Sequence, residues 1–159
     1  MPNRDLTLPH LPMNDRIARE LDHQWSKVWD LAIPSDPFIG TEFIKNVLDE
    51  LELLNWPDRD RFAIHMSLEE AIMNAIKHGN CQQTDKQVLI DARISAAKFY
   101  IRVTDEGPGF NPHDVPDPTL EENLTKTSGR GLKLMRIYMN FVVYNSVGNQ
   151  VELLKIRQD

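Results

Sequence analysis

Residues 70–79 of this chain read Glu-Ala-Ile-Met-Asn-Ala-Ile-Lys-His-Gly, so that Glu70 and Asn74 stand four positions apart. In a helix this spacing places both side chains on one face, which Lys77 and His78 continue one turn later. A carboxylate can take a proton from an attacking hydroxyl, and an amide oxygen is a hard ligand that suits Mg²⁺. The pair therefore suits phosphoryl chemistry, although an exposed polar face on an amphipathic helix has the same pattern.

The surrounding residues predict two consecutive helices. Asp36–Pro37 is a typical helix start, and the apolar stripe that follows predicts a helix ending near Asn55. A second start at Pro57–Asp58 and a C-terminal cap at Gly79 predict a helix of about twenty residues. The polar pair at residues 70–74 therefore lies on the second helix.

Alternating apolar residues predict strands further along the chain. Residues 88–94 and 99–103 alternate on either side of a short connection, which predicts an antiparallel hairpin. Residues 141–144 and 151–156 predict two more strands, after a helix that begins near Gly131. The expected fold class is an α/β two-layer sandwich, with a mixed, mostly antiparallel sheet covered on one face by three helices.

The N-terminal region gives a less regular pattern. Residues 1–13 contain three prolines and predict an irregular tail. Residues 14–28 have apolar residues at helical spacing, whereas residues 29–33 alternate as a strand does, so the two interpretations stay open. We expect residues 1–30 to form an N-terminal extension and residues 31–159 to form a single domain.

The chain contains two glycine-containing segments, one directly after the predicted hairpin and one after the loop 111–128. Residues 104–110, Thr-Asp-Glu-Gly-Pro-Gly-Phe, place Asp105 at a strand end, where its carboxylate can accept an exocyclic amine, although a plain tight turn uses the same residue types. Residues 128–132, Ser-Gly-Arg-Gly-Leu, open a predicted helix, where backbone N–H groups and Arg130 suit a phosphate or else form a hinge. The loop between them, 111–128, is a candidate lid.

In this order, the three segments resemble the nucleotide-binding boxes of the GHKL superfamily, whose members are Bergerat-fold ATP binders. The resemblance extends from about residue 31 to residue 155. Within the superfamily, the chain looks most like the bacterial anti-sigma factors that are serine protein kinases. The resemblance implies a Bergerat-type fold with an ATP lid, and ATP and Mg²⁺ as cofactors.

The resemblance also implies a role for each matching residue. By it, Glu70 is the general base, Asn74 the Mg²⁺ ligand and Asp105 the acceptor of the adenine amino group. The implied nucleotide-binding residues in full are Asn74, His78, Gly79, Asp105, Gly107, Gly109, Phe110, Lys126, Thr127, Gly129, Arg130, Gly131 and Leu132. Lys126 and Thr127 would close over the phosphates as part of the lid.

The function implied by the resemblance is an ATP-dependent serine protein kinase that acts as an anti-sigma factor. Its partners would be a sigma factor and a STAS-domain anti-anti-sigma protein, which it phosphorylates, and it would form a homodimer. Two alternatives use the same pocket: a non-enzymatic regulator whose shape the nucleotide sets, and a slow ATPase in which Glu70 activates water.

Composition excludes several other classes. The formal charge of −6 and the absence of a basic stripe argue against nucleic acid as a direct ligand. Cys81 is the only cysteine, and His65 and His78 stand thirteen positions apart, so neither a disulfide nor a zinc site is expected. No Walker-type phosphate loop occurs, and no apolar signal core or membrane-length run is present. We expect a cytoplasmic protein.

Overall fold

The computed structural model describes residues 13–114 and 130–159. In these residues the α-helices are α1 (Met13–Leu21), α2 (Pro37–Leu53), α3 (Asp58–Asn74) and α4 (Arg130–Tyr138). The strands are β1 (Lys27–Pro34), β2 (Gln87–Ile94), β3 (Lys98–Thr104), β4 (Phe141–Tyr144) and β5 (Gln150–Ile156). A π-helical turn, Ala75–Gly79, continues α3, and a 3₁₀ turn lies at Pro112–Asp114.

The five strands form one sheet with the order β1-β2-β3-β5-β4. The predicted fold class, an α/β sandwich of a mostly antiparallel sheet and helices, is confirmed. The sheet is not mixed in the part of the chain that the structure describes, because all four strand pairs are antiparallel. The predicted β2–β3 hairpin is present, with Ile94 opposite Phe99.

The predicted starts and ends of the central helices are confirmed. The side chain of Asp36 caps α2 by accepting a hydrogen bond from the Phe38 N–H at 2.8 Å, and Pro37 occupies the first helical position. The chain then turns at Asn55, which adopts a left-handed φ of 54°. Local capping chemistry therefore sets the limits of α2.

Each interpretation of the N-terminal pattern is correct over part of its stretch. The helical spacing holds as far as Leu21, where α1 ends, and is wrong for residues 22–28, whereas the alternation belongs to β1. β1 pairs with β2 from Lys27 opposite Ile94 to Pro34 opposite Gln87. β1 extends across residue 31, the position that separates the extension from the domain in our prediction. The division into an extension and a domain stays a prediction.

The prediction of helices on one face of the sheet is correct for three helices and misses α1, which covers part of the opposite face. α2, α3 and α4 pack on one face and enclose the main core, which includes Ile72, Ile90 and Ile101. α1 lies on the opposite face, where Ile17 packs against Tyr100 and Leu154. None of the helices within the described ranges has the length and apolar character needed to cross a bilayer.

A buried ion pair joins β5 to two helices. The Nζ of Lys155 lies 3.6 Å from Oδ1 of Asp60, near the start of α3, and donates a hydrogen bond at 2.9 Å to the carbonyl of Tyr138 at the end of α4. The Asp60 side chain is fully buried and also accepts the Gln158 N–H at 2.8 Å. Because a buried charge without a partner is costly, this pair holds α3 and α4 in a defined position on the sheet.

Candidate functional site

The helix that carries Glu70 and Asn74 ends in an unusual turn. After Asn74 the backbone widens into the π-helical turn, and the N–H of Asn80 donates to the carbonyl of Ala75 at 2.8 Å. Single π-helical turns often occur at functional sites. The predicted helix that ends at Gly79 is confirmed, with this wider turn at its end.

A cavity of about 520 Å³ opens beside this turn. Its walls are α3, the π-helical turn, the end of β3, the first turn of α4 and the connection between β4 and β5. The lining residues are Glu70, Ala71, Asn74, Ala75, His78, Gly79, Val103, Asp105, Pro108, Gly109, Phe110, Gly131, Leu132, Tyr144, Gly148, Asn149, Gln150 and Val151. The volume is in the range of sites for small molecules.

Asp105 follows β3 and directs its carboxylate towards the end of the π-helical turn. A β-carbon added to Gly79 would stand 2.3 Å from the Asp105 carboxyl carbon, so only glycine allows this approach. The Gly107 N–H donates to Asp105 Oδ1 at 2.7 Å. Burial raises the pKa of Asp105, which the hydrogen bond from Gly107 and the charge of Lys86 partly offset. Asp105 Oδ2 accepts no hydrogen bond from a described residue and is available to a ligand.

Two glycines allow the loop after Asp105 to pass close to the β4–β5 connection. Gly109 has a φ of 77°, and a β-carbon there would stand 2.0 Å from the carbonyl oxygen of Val147. Gly148 has a φ of 82°, and a β-carbon there would stand 1.7 Å from the carbonyl oxygen of Phe110. The sequence predicts a strand on either side of this connection but not the contact of Gly148 with Phe110, because the two residues are far apart in the chain.

The first turn of α4 forms part of the cavity wall. Gly131 and Leu132 line it, whereas Arg130 is exposed and does not. Gly107 supports Asp105 by its hydrogen bond but is also not among the lining residues. The predicted lid residues Lys126 and Thr127, and Gly129 from the predicted phosphate-binding segment, lie outside the described residues.

Tyr144 is a second residue that the interpretation of the sequence misses. Its ring meets Phe110 edge to face, with 5.1 Å between the ring centroids, so the two rings form an aromatic wall of the cavity. Burial, with a contribution from the charge of Glu70, raises the pKa of Tyr144 to about 12. The Tyr144 hydroxyl therefore keeps its proton at neutral pH.

A family model described as histidine kinase-like ATPase domain matches residues 41–155. The chain belongs to this family. The match confirms the GHKL resemblance, and it covers the chain from α2 to β5, including every residue that lines the cavity. A comparison with the curated proteins finds no match.

A histidine kinase-like ATPase domain binds ATP, and the cavity contains groups that fit its parts. Asp105 offers an acceptor, and the first turn of α4 offers backbone N–H groups. In the described ranges no three His, Cys, Asp or Glu side chains form a metal cluster. Asn74 does supply an amide oxygen in the cavity, which fits Mg²⁺ because this ion usually takes one or two protein ligands and completes its shell with water and phosphate.

Proposed function

We propose that the chain is an ATP-dependent serine protein kinase that acts as an anti-sigma factor. The observation that carries the proposal is the position of the Glu70 carboxylate. It lines the cavity one helical turn before Asn74, and it accepts no hydrogen bond from any described residue. A carboxylate in this position is available to remove a proton from an incoming hydroxyl group.

The proposed reaction transfers the γ-phosphoryl group of ATP to a serine of a partner protein. The serine Oγ forms a bond to the γ-phosphorus while the bond from that phosphorus to the β,γ-bridging oxygen breaks, and ADP leaves with the electron pair. Glu70 accepts the serine proton. Because phosphoryl transfer depends mainly on positioning and electrostatic stabilisation, the walls of the cavity matter as much as the base.

The other proposed roles follow from the same arrangement. Asp105 Oδ2 would accept the adenine amino group, the aromatic wall of Phe110 and Tyr144 would contact the apolar part of the nucleotide, and Asn74 would hold Mg²⁺. When bound, Mg²⁺ neutralises charge on the β- and γ-phosphates. The backbone N–H groups of α4, which meets the cavity at Gly131, would bind the phosphates.

The partners that we propose rest on the resemblance to anti-sigma serine kinases. The phosphorylated protein would be a STAS-domain anti-anti-sigma factor, the regulated protein a sigma factor, and the assembly a homodimer. The net charge of −6 supports a protein partner over direct contact with nucleic acid.

Phosphate transfer from radiolabelled ATP to STAS-domain proteins tests the proposal. Glu70→Gln should keep ATP affinity and slow the transfer by roughly 10²–10⁴-fold, the usual contribution of a general base. Glu69→Gln is the matched control, because Glu69 lies on the same helix, pairs with His65 at 3.5 Å and does not line the cavity. Unchanged transfer by Glu70→Gln would show that Glu70 is not the base.

The same assay separates the kinase from its alternatives. Release of free phosphate without labelling of any protein would indicate a slow ATPase. ATP binding with neither product, and sigma-factor binding that depends on the nucleotide, would indicate a non-enzymatic regulator.

A further inference from the structure

Asn80 is a fully buried polar residue directly after the π-helical turn. Its Nδ2 donates to the hydroxyl of Ser35 at 2.7 Å and to the carbonyl of Gln87 at 2.9 Å. Its Oδ1 accepts the backbone N–H of Glu106 at 2.8 Å. One side chain therefore joins the end of β1, the start of β2 and the loop after β3.

These partners determine the orientation of the Asn80 amide. The carbonyl of Gln87 can only accept and the N–H of Glu106 can only donate, so the Asn80 oxygen must face Glu106. Ser35 is also buried, and its hydroxyl donates in turn to the carbonyl of Lys86 at 3.0 Å. The polar groups in this network are satisfied, which makes it rigid.

The hydrogen bond to Glu106 acts on the residue that precedes it, Asp105. The Asp105 carboxylate is positioned by Asn80 through the next peptide N–H, by Gly107 through Oδ1, and by the close approach of Gly79. The Asp105 backbone is also held by Asn149, whose carbonyl accepts the Asp105 N–H at 2.9 Å and whose Nδ2 donates to the Asp105 carbonyl at 3.2 Å. A change at Asn80 therefore moves Asp105 without removing any group that lines the cavity.

We propose that Asn80 is a positioning residue that determines the preference of the site for adenine over guanine nucleotides. The proposal rests on the role of Asp105 as the acceptor of the adenine amino group. Adenine presents an amino donor where guanine presents a carbonyl acceptor. A carboxylate held in place accepts from the donor and repels the acceptor, so the discrimination depends on where Asp105 Oδ2 is held.

The test is calorimetric titration with ADP, GDP and inorganic triphosphate, for the wild type and for Asn80→Ala. We expect Asn80→Ala to weaken ADP binding by about 10-fold, since the loss of a well-placed hydrogen bond to a charged group has this effect. GDP affinity should change by less than about 3-fold, and triphosphate affinity should stay the same, because the phosphate end of the cavity does not depend on Asn80.

Two further variants keep the test decisive. Ser35→Ala removes one acceptor of the Asn80 amide and leaves the bond to Glu106, so it should reduce the ADP preference by a smaller factor, about 2- to 3-fold. If Asn80→Ala does not fold, Ser35→Ala alone decides. Trp56→Phe is the control for destabilisation: Trp56 is buried, donates to the carbonyl of Ser95 at 3.0 Å and does not line the cavity.

The outcomes distinguish this inference from the proposed kinase. Equal weakening of all three ligands, or loss of ADP preference in Trp56→Phe as well, would show a merely structural role and overturn the inference. An unchanged ADP preference in both Asn80→Ala and Ser35→Ala would also overturn it. A wild type that prefers ADP, loses the preference in Asn80→Ala and phosphorylates no protein would support the inference and remove the kinase proposal.

Discussion

Gly131 lies directly against the carboxylate of Glu70. A β-carbon at position 131 would stand 2.0 Å from Glu70 Oε2 and 2.7 Å from its carboxyl carbon. Gly131 is the second residue of α4, and Glu70 lies in the last two turns of α3. The absence of a side chain at Gly131 therefore sets how closely the two helices approach at the cavity.

Gly131→Ala should stabilise the fold by less than the roughly 0.5–1 kcal/mol by which alanine is favoured over glycine in a helix, because the added methyl group must displace the Glu70 carboxylate. In the Glu70→Ala background the full gain should be recovered, because the group that clashes is then gone. Urea unfolding of the two single variants and the double variant measures the coupling. Pairing Gly131→Ala with Glu69→Ala is the control and should give no recovery. Additive free energies for the Glu70 pair would contradict the contact.

Asn74→Ala should abolish the effect of Mg²⁺ on ATP affinity. The amide oxygen of Asn74 is the neutral oxygen donor that α3 places in the cavity, and its loss leaves the ion with the nucleotide alone. Calorimetric titration of ATP with and without Mg²⁺ measures the difference. Asn46→Ala on the exposed surface of α2 is the matched control. A Mg²⁺ effect that survives in Asn74→Ala would place the metal elsewhere.

Gly148→Ala should lower both stability and nucleotide affinity. A left-handed φ costs a non-glycine residue about 1–2 kcal/mol, and the added methyl group would also push Phe110 away from the cavity. Thermal unfolding and ADP titration are the measurements. Ser146→Ala, an exposed change in the same connection, should affect neither. Normal ADP affinity in a destabilised Gly148→Ala variant would show that the contact between Gly148 and Phe110 contributes to stability but not to nucleotide binding.

Acidification should weaken adenine nucleotide binding at a higher pH than an ordinary aspartate would cause. Because the pKa of Asp105 is raised, its carboxylate is protonated at a higher pH than that of an ordinary aspartate. The protonated oxygen no longer accepts a hydrogen bond from the adenine amino group. ADP affinity measured against pH checks this, and Asp105→Asn, which does not titrate, accounts for protonation of the nucleotide itself. Equal pH profiles for the two proteins would contradict the prediction.

Protonation of Asp105 should also change the stability of the protein, in the direction opposite to its effect on nucleotide binding. Because the folded state holds the Asp105 proton more tightly than the unfolded chain does, the contribution of this group to stability falls as pH rises from the unfolded pKa through the folded one. Comparing the unfolding of wild type and Asp105→Asn across this range measures it. Protonation of Asp105 at low pH is therefore expected to stabilise the folded state and to weaken nucleotide binding.

Most of the secondary structure could be predicted because its causes are local. Asp36 caps α2 through a hydrogen bond to an N–H two residues away, and the apolar residues that face the main core recur at every second position of β2 and β3. The N-terminal pattern is ambiguous in the sequence because one segment contains both a helix, α1, and a strand, β1.

The residues of the candidate site could likewise be predicted only in part. Glu70 and Asn74 could be paired from their spacing, and Asp105 could be placed at a strand end. Gly148, Tyr144 and Asn80 could not be assigned, because the first two contact Phe110 and the third contacts Glu106, across sequence separations that no local pattern encodes.

By itself the sequence determined the helices, the β2–β3 hairpin and the three polar segments, because capping, alternation and the spacing of i and i+4 residues act over a few positions. Only the tertiary structure decided the strand order β1-β2-β3-β5-β4, the packing of α1 on the second face of the sheet, and the closeness of Gly131 to Glu70. Those features depend on which surfaces, far apart in the sequence, pack against each other. The packing of the whole chain decides this, and a glycine or a single buried amide contributes to it through contacts with residues far away in the sequence.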